Sequence, residues 1–276
     1  MLKLRGIKAR PHDIDAMMLH HPSLVEMHCS VDDLRWVPTR CYNVPLAVHL
    51  PEYHRGYLID PASLVEADRR AAQDLYVKAI HSAHTWSSYF SGKPKIVFHP
   101  GGMGVEKFTA TTCNVARAQL DKTIEAMVAV AGEDADILVE NLPAHCCFFG
   151  GEWYANIATR SEDLVSICKG HSIGMTLDLC HLYLAAQAQK FDVPAAVAVA
   201  APYVRHVHYS GAAGVDGEGL DVDHPDNTFD LAAAIRPILD VDAVAVPEVW
   251  FGHENGGAGF VHAWEALEER LESGYT

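Results

Sequence analysis

The sequence predicts one α/β domain spanning residues 1–276, an eight-stranded parallel barrel of the TIM, or (β/α)8, type. Three observations carry this expectation. Eight short apolar runs recur along the chain, each followed by a helical pattern or a short connection, as in a parallel sheet wrapped by helices. The runs are apolar at consecutive rather than alternate positions, as strands buried on both faces must be. The length of 276 residues suits a single barrel, and no Pro/Ser-rich linker, low-complexity segment or short repeat divides it. A doubly wound open sheet shares the alternation, but no Gly-x-Gly-x-x-Gly follows the first strand.

The first strand is expected over residues 2–9 and a short helix over 13–20. The second strand, 23–27, ends in Glu26-Met27-His28-Cys29, and one helical turn near 32–34 interrupts the next connection. The third strand, 45–50, opens into a loop over 51–60 that is rich in groups able to touch a ligand. Ser63 with Glu66 three residues later reads as a capping box, starting a helix that runs to about residue 89. A fourth strand, 95–99, stops at Pro100-Gly101-Gly102 and is followed by a helix over 112–131. The fifth strand, 137–140, leads into a loop over 141–154 whose Cys146-Cys147-Phe148-Phe149 and Trp153-Tyr154 are too apolar for a passive linker. Next come a helix over 161–169, a sixth strand over 174–178, helical pieces over 182–189 and 194–200, and a seventh strand over 204–208. A Gly- and Asp-rich loop over 211–226, a helix over 229–239, an eighth strand over 244–249 and a helix over 260–271 complete the pattern.

Composition narrows the function. Hydrophobic residues make up 49% and charged residues 21%, enough apolar matter for a large core. A formal charge of −15 disfavours the broad basic footprint that nucleic acid requires. No apolar run reaches the ~18 residues of a membrane span, and the N-terminal residues lack the apolar centre of a signal peptide. Seven cysteines, with Cys146 and Cys147 adjacent and no Cys-x-x-Cys, point to reduced thiols and a cytoplasmic location.

The 17 histidines are the unusual figure, because several end strands. His49, His99, Glu140, Asp178, His208 and Glu248 each close an apolar run, and His181 follows Asp178 by three residues. In a barrel the C-terminal strand ends converge on one face, so these side chains would meet. Singly each has an ordinary explanation: a histidine at a rim, Asp178 as a helix cap, Glu140 as a polar loop start, Glu248 paired with a lysine or arginine. Together they form a nitrogen and oxygen donor set without cysteine, suited to Zn²⁺, Mn²⁺, Co²⁺ or Fe²⁺. A cation there would offset the repulsion among three carboxylates.

Read as motifs, His49-Leu50-Pro51, Phe98-His99-Pro100-Gly101-Gly102, Glu140-Asn141, Asp178-Leu179-Cys180-His181, Val207-His208-Tyr209 and Glu248 resemble the xylose isomerase-like TIM barrel superfamily. That resemblance implies metal ligands at Glu140, Asp178, His208 and Glu248. One branch comprises sugar and sugar-phosphate isomerases and epimerases. It is echoed in Glu26-Met27-His28-Cys29, in Phe149-Gly150-Gly151-Glu152-Trp153-Tyr154, in Gly214-Val215-Asp216-Gly217-Glu218-Gly219-Leu220, and in the long run from Pro247 to Phe260. The ketose 3-epimerase arginine is replaced here by Gly211-Ala212-Ala213-Gly214. The other branch, endonuclease IV (AP endonuclease family 2), adds zinc ligands that would fall on His49, His99 and His181 and on an Asp-x-His. Here the last reads Asp221-Val222-Asp223-His224.

The first function implied is therefore a divalent-metal-dependent isomerase or epimerase of a small sugar or sugar phosphate, acting through a metal-stabilised enediolate. Glu140 and Glu248 would exchange the proton as base and acid, while His181 and His99 orient hydroxyls. Tyr53, Trp153, Tyr154 or Trp250 would supply an apolar wall, and Asp221 and His224 would sit on the substrate side. Arg55, Lys107 or the amides of Gly101 and Gly102 would meet a phosphate. One ion is expected for this branch. The alternative is an endonuclease IV-like zinc phosphodiesterase acting on abasic DNA with up to three ions, and a third reading is a non-catalytic sugar- or metal-binding barrel. Each is compatible with a homo-oligomer, and none involves a membrane.

Overall fold

Eight parallel strands form where the apolar runs predict them. The computed structural model describes residues 1–273. Its barrel strands are β1 (Gly6–Ala9), β2 (Leu24–His28), β3 (Pro45–His49), β4 (Ser91–Phe98), β5 (Asp136–Glu140), β6 (Gly174–Asp178), β7 (Val204–Tyr209) and β8 (Ala245–Pro247). They are hydrogen-bonded in chain order, each strand beside the next along the chain. The ring closes ahead of β1, where Lys3 N donates to Ala243 O at 3.0 Å and Ala245 N donates to Lys3 O at 2.8 Å. A side chain at Gly6 would not fit this seam, since a Cβ there would stand 2.5 Å from Val246 Cγ2.

The helices are α1 (Ile14–Met17), α2 (Glu66–Ser87), α3 (Ala110–Ala131), α4 (Ser161–His171), α5 (Leu179–Gln189), α6 (Val193–Ala200), α7 (Leu231–Ile235) and α8 (Glu254–Ser273). Tyr76, Ile80 and Trp86 of α2 and Leu120, Ile124 and Met127 of α3 are buried in one core with Ile96 and Phe98 of β4. Each such side chain contributes about 1.5–3 kcal/mol by leaving water. Among the described residues no helix is long and apolar enough to cross a membrane.

Register decides which side chains share the mouth. His28 pairs with His49 across β2–β3, and Asp178 pairs with His208 across β6–β7, so the polar strand ends lie level. Alternate residues face the same way, so Glu26 and His28, Thr176 and Asp178, and His206 and His208 occupy successive layers of the barrel interior.

Several boundaries differ from the sequence expectation. The capping box at Ser63 does not form: α2 begins after Val65 without a side-chain cap. Ser63 Oγ accepts from Val65 N instead, and Glu66 pairs with Arg69 at 2.9 Å and Arg70 at 2.7 Å. α5 starts at Leu179 rather than 182 because the Asp178 carboxylate accepts from His181 N at 2.6 Å. The expected loop 141–154 is a hairpin, His145–Phe148 against Gly151–Ala155, to which Met103–Gly104 adds a third strand. Loop 211–226 contains a second hairpin, Gly211–Ala213 with Gly217–Leu220, and loop 51–60 a small one, Tyr53–His54 with Tyr57–Leu58. The helix expected over 229–239 is short, because Pro237 falls in a 3-10 turn, Arg236–Ile238.

Candidate metal centre at the barrel mouth

The ends of β5 to β8 bring Glu140, Asp178, His208 and Glu248 together. Each offers one donor atom, and these four atoms all lie within 4.8 Å of one another. His208 Nδ1 stands 3.0 Å from Glu140 Oε1 and 3.1 Å from Glu248 Oε1. Asn141 locks two of the strand ends in place: its amide donates to Asp178 O at 2.8 Å and accepts from Asp178 N at 2.8 Å. On the far side of His208, Nε2 donates to Glu26 Oε2 at 2.7 Å.

Burial and charge oppose one another here. Burial pushes the Glu140 carboxyl up, but His208 and His99 more than offset it and hold it well below the usual range. Burial likewise raises Glu248, and His208 with Lys8, which is hydrogen-bonded to Glu248 Oε1, brings it back below. Burial pushes the Asp178 carboxyl up to about 6, with His181 acting against it. Burial lowers His208, yet Glu140, Glu248 and Glu26 carry it well above the usual imidazole value. Without an ion, the carboxylates are thus balanced by a buried imidazolium and the Lys8 ammonium. Three carboxylates and one imidazole, all buried except the cavity-lining Glu248, fit a divalent cation, which would take the place of the His208 Nδ1 proton.

The ends of β2 to β4 carry a second group of titratable side chains. Glu52 Oε1 lies 3.7 Å from His28 Nε2, 3.8 Å from His49 Nδ1 and 3.9 Å from His99 Nδ1. The other nitrogens of His49 and His99 face Glu140, at 3.2 Å for His49 Nε2 and 3.7 Å for His99 Nε2. Burial lowers His99, but Glu52 and Glu140 raise it to about 9. His181 Nδ1 is 3.0 Å from Asn141 O, leaving Nε2 facing Glu218 at 3.8 Å.

Above these groups opens a cavity of about 530 Å³. His99, Asp178, His181, Glu248 and Trp250 line it, while Glu140, His49 and His208 lie beneath its surface. Trp250 is 62% exposed and rests on the Gly219 backbone; a Cβ at Gly219 would come within 2.0 Å of its Cδ1. The other expected substrate residues do not line the cavity. Tyr53 meets Phe149 edge to face at 6.0 Å, and Arg55 occupies the adjoining turn at φ 50°. Trp153 donates its indole N–H to Phe148 O within its own hairpin. Asp221 O accepts from His224 N in a turn, and His224 Nδ1 accepts from Asp226 N. Lys107, one of the expected phosphate donors, lies over the Tyr154 ring at 5.3 Å.

Five site-forming residues carry no site role in the sequence expectation: Lys8, Glu26, His28, Glu52 and Glu218. Lys8, Glu52 and Glu218 line the cavity, and Glu26 is fully buried below it. For Lys8 and Glu26 a signal existed, a charge inside an apolar strand.

The family model of the xylose isomerase-like TIM barrel matches residues 39–276. Solved structures of the same architecture include one of a D-tagatose 3-epimerase-like protein, at 18% identity and TM-score 0.69, covering 97% of each chain. The protein TTHB071 from Thermus thermophilus, soaked with ZnCl2, aligns at 17% identity and TM-score 0.64 over 97% of this chain and 98% of its own. The 3-keto-D-glucoside 4-epimerase YcjR from E. coli aligns at 12% identity and TM-score 0.64, over 97% of this chain and 100% of its own. At these identities the fold is what is shared. No curated protein matches the sequence significantly.

Proposed function

This chain belongs to the xylose isomerase-like TIM barrel family, and on that premise we propose that it is a divalent-metal-dependent isomerase or epimerase of a sugar. The observation that carries the reading is that Glu140 and Glu248 face the same His208 nitrogen, at 3.0 and 3.1 Å, at the base of a sugar-sized cavity. Neighbours of the same fold, named as epimerases of ketoses and of a keto-glucoside, support it.

Glu140, Asp178, His208 and Glu248 would hold the ion (zinc, manganese, cobalt or iron), which supplies Lewis acidity toward adjacent oxygens of an open-chain sugar. Glu248, lining the cavity and kept ionised by His208 and Lys8, takes the proton from the carbon beside the carbonyl. Glu140, the other carboxylate on the same His208 nitrogen, would be its partner for the return step. With its Nδ1 held by the Asn141 carbonyl, His181 presents Nε2 to a substrate oxygen, and His99 presents a second donor. Trp250, whose ring packs on the backbone of Gly219 where a Cβ would not fit, would give the sugar an apolar face.

One observation favours a second reading, a two-ion zinc phosphodiesterase. Glu140 is shared with His49 and His99 as a further group of converging donors. Against it stand the acidic lining of Asp13, Glu52 and Glu218 and the formal charge of −15, which repel a phosphodiester strand.

Elemental analysis of protein purified without chelator or affinity tag separates the two. Close to one ion per chain supports the isomerase, to be followed by a panel of aldoses, ketoses and their phosphates. Two or three zinc ions shift the reading to the phosphodiesterase, with nicking of abasic DNA as the next assay. Protein that takes up no ion after incubation with these metals overturns both.

A further inference from the structure

Below the four-residue centre lies a group that neither lines the cavity nor belongs to that centre, apart from the His208 they share. His206 and His208 occupy alternate positions of β7, so both imidazoles enter the barrel interior, one layer apart. Glu26 enters from β2, which is not a neighbour of β7 in the sheet, so the contact crosses the lumen. His206 Nε2 lies 2.6 Å and His208 Nε2 2.7 Å from the same oxygen, Glu26 Oε2. All three residues are 0% exposed.

A carboxylate between two imidazoles could itself bind a cation, but the distances argue otherwise. Donor atoms sharing a first-row ion at bonds of about 2.0–2.2 Å stand roughly 3 Å or more apart. Separations of 2.6 and 2.7 Å are those of charge-assisted hydrogen bonds. An anion accepting two N–H groups on one oxygen fixes both rings. For His208 it fixes the ring: Nε2–H is committed to Glu26, so Nδ1 faces Glu140 and Glu248, carrying a proton in the ion-free site and offering its lone pair only where a cation takes that proton's place. His206 has no comparable outlet, because its Nδ1 meets no partner among the described residues. Its contribution is to hold the carboxylate in place from the layer beneath.

We propose that Glu26, anchored by His206, is the positioning residue that orients His208 for the ion and strengthens it as a ligand. The inference rests on the four-residue ion site proposed above. Hydrogen-bonded carboxylates behind a ligating imidazole typically account for about 10–100-fold in metal affinity.

The test is the Co²⁺ dissociation constant, measured by competition with a chelating dye on the full chain, for wild type, Glu26→Gln and His206→Gln. Glu268→Gln serves as control, since that carboxylate pairs with Arg5 on the surface at 2.8 Å. ¹H–¹⁵N spectra of the Zn²⁺-loaded protein report which His208 nitrogen bears hydrogen. Glu26→Gln is expected to weaken Co²⁺ binding about 10-fold or more and to shift the His208 ¹⁵N signals. His206→Gln should do both to a smaller extent, and Glu268→Gln neither. Unchanged affinity and unchanged ¹⁵N signals in a folded Glu26→Gln overturn the inference and leave the ion site standing. If Glu26→Gln does not fold, His206→Gln decides on the same two readouts. A wild-type protein that binds no Co²⁺ overturns the ion site itself, and the inference with it.

Discussion

On the β5–β8 side of the mouth, His208 Nδ1 stands 3.0 and 3.1 Å from two carboxylates; on the β2–β4 side, Glu52 Oε1 stands 3.7, 3.8 and 3.9 Å from three imidazoles. The residue types are alike, yet the spacing differs. The first side lies at the strand ends themselves, clamped by Asn141 and backed by Glu26. Glu52 hangs from a loop, and its contacts are longer than hydrogen bonds. One half is therefore held tightly by its neighbours, whereas the other is more loosely spaced, and the proposed function would use the first for the ion and the second for substrate hydroxyls.

The contrast can be broken most decisively at its tight half. Asp178→Ala or His208→Ala is expected to abolish stoichiometric metal by elemental analysis and to lower turnover about 1,000-fold. Equal metal loss in His49→Ala would erase the distinction between the halves. In the loose half, His49→Ala and His99→Ala should keep one ion per chain, while His99→Ala, which removes a cavity-lining donor, lowers kcat/KM about 100-fold, the lower end of the usual worth of a positioned proton donor.

The pH dependence of stability sharpens the same contrast. In metal-free protein, burial works against the His99 charge, but Glu52 and Glu140 lift its pKa to about 9, above the 6.5 of a free imidazole. Between these values the folded state binds more protons than the unfolded chain. The resulting stabilisation is complete below about pH 6.5 and lost as pH rises through about 9. Thermal midpoints should fall by several degrees across that window, and His99→Gln should flatten the fall. The smallest effects belong to the rim. Trp250→Ala should raise KM about 3–10-fold through loss of a stacking face, whereas Tyr53→Ala and Arg55→Ala, which do not line the cavity, should alter kcat/KM less than about twofold.

The strand ends were legible because a charge closing an apolar run is costly unless something uses it. That argument reaches Glu140, Asp178, His208 and Glu248 without knowledge of neighbours. It does not reach Glu52 or Glu218, which sit in polar loops and meet the cavity only because short hairpins fold back over it. For Lys8 and Glu26 the charge within a strand was a signal, but what each meets was not legible, because the partners lie at sequence separations of 240 and 182. The expected cap at Ser63 fails on local competition. Asp60 Oδ1 accepts from Ala62 N and Gly102 N, both at 2.8 Å, which sets the path into α2, and two arginines claim Glu66.

The seam between β1 and β8 has a consequence in time. A ribosome makes the first strand long before the last, and until β8 arrives β1 presents an unpaired edge while Lys8 has no Glu248 to meet. Contacts of such long range form late in folding. The barrel mouth is thus completed only by the step that closes the ring, so a nascent or partly opened barrel lacks Glu248 beside Lys8 and His208.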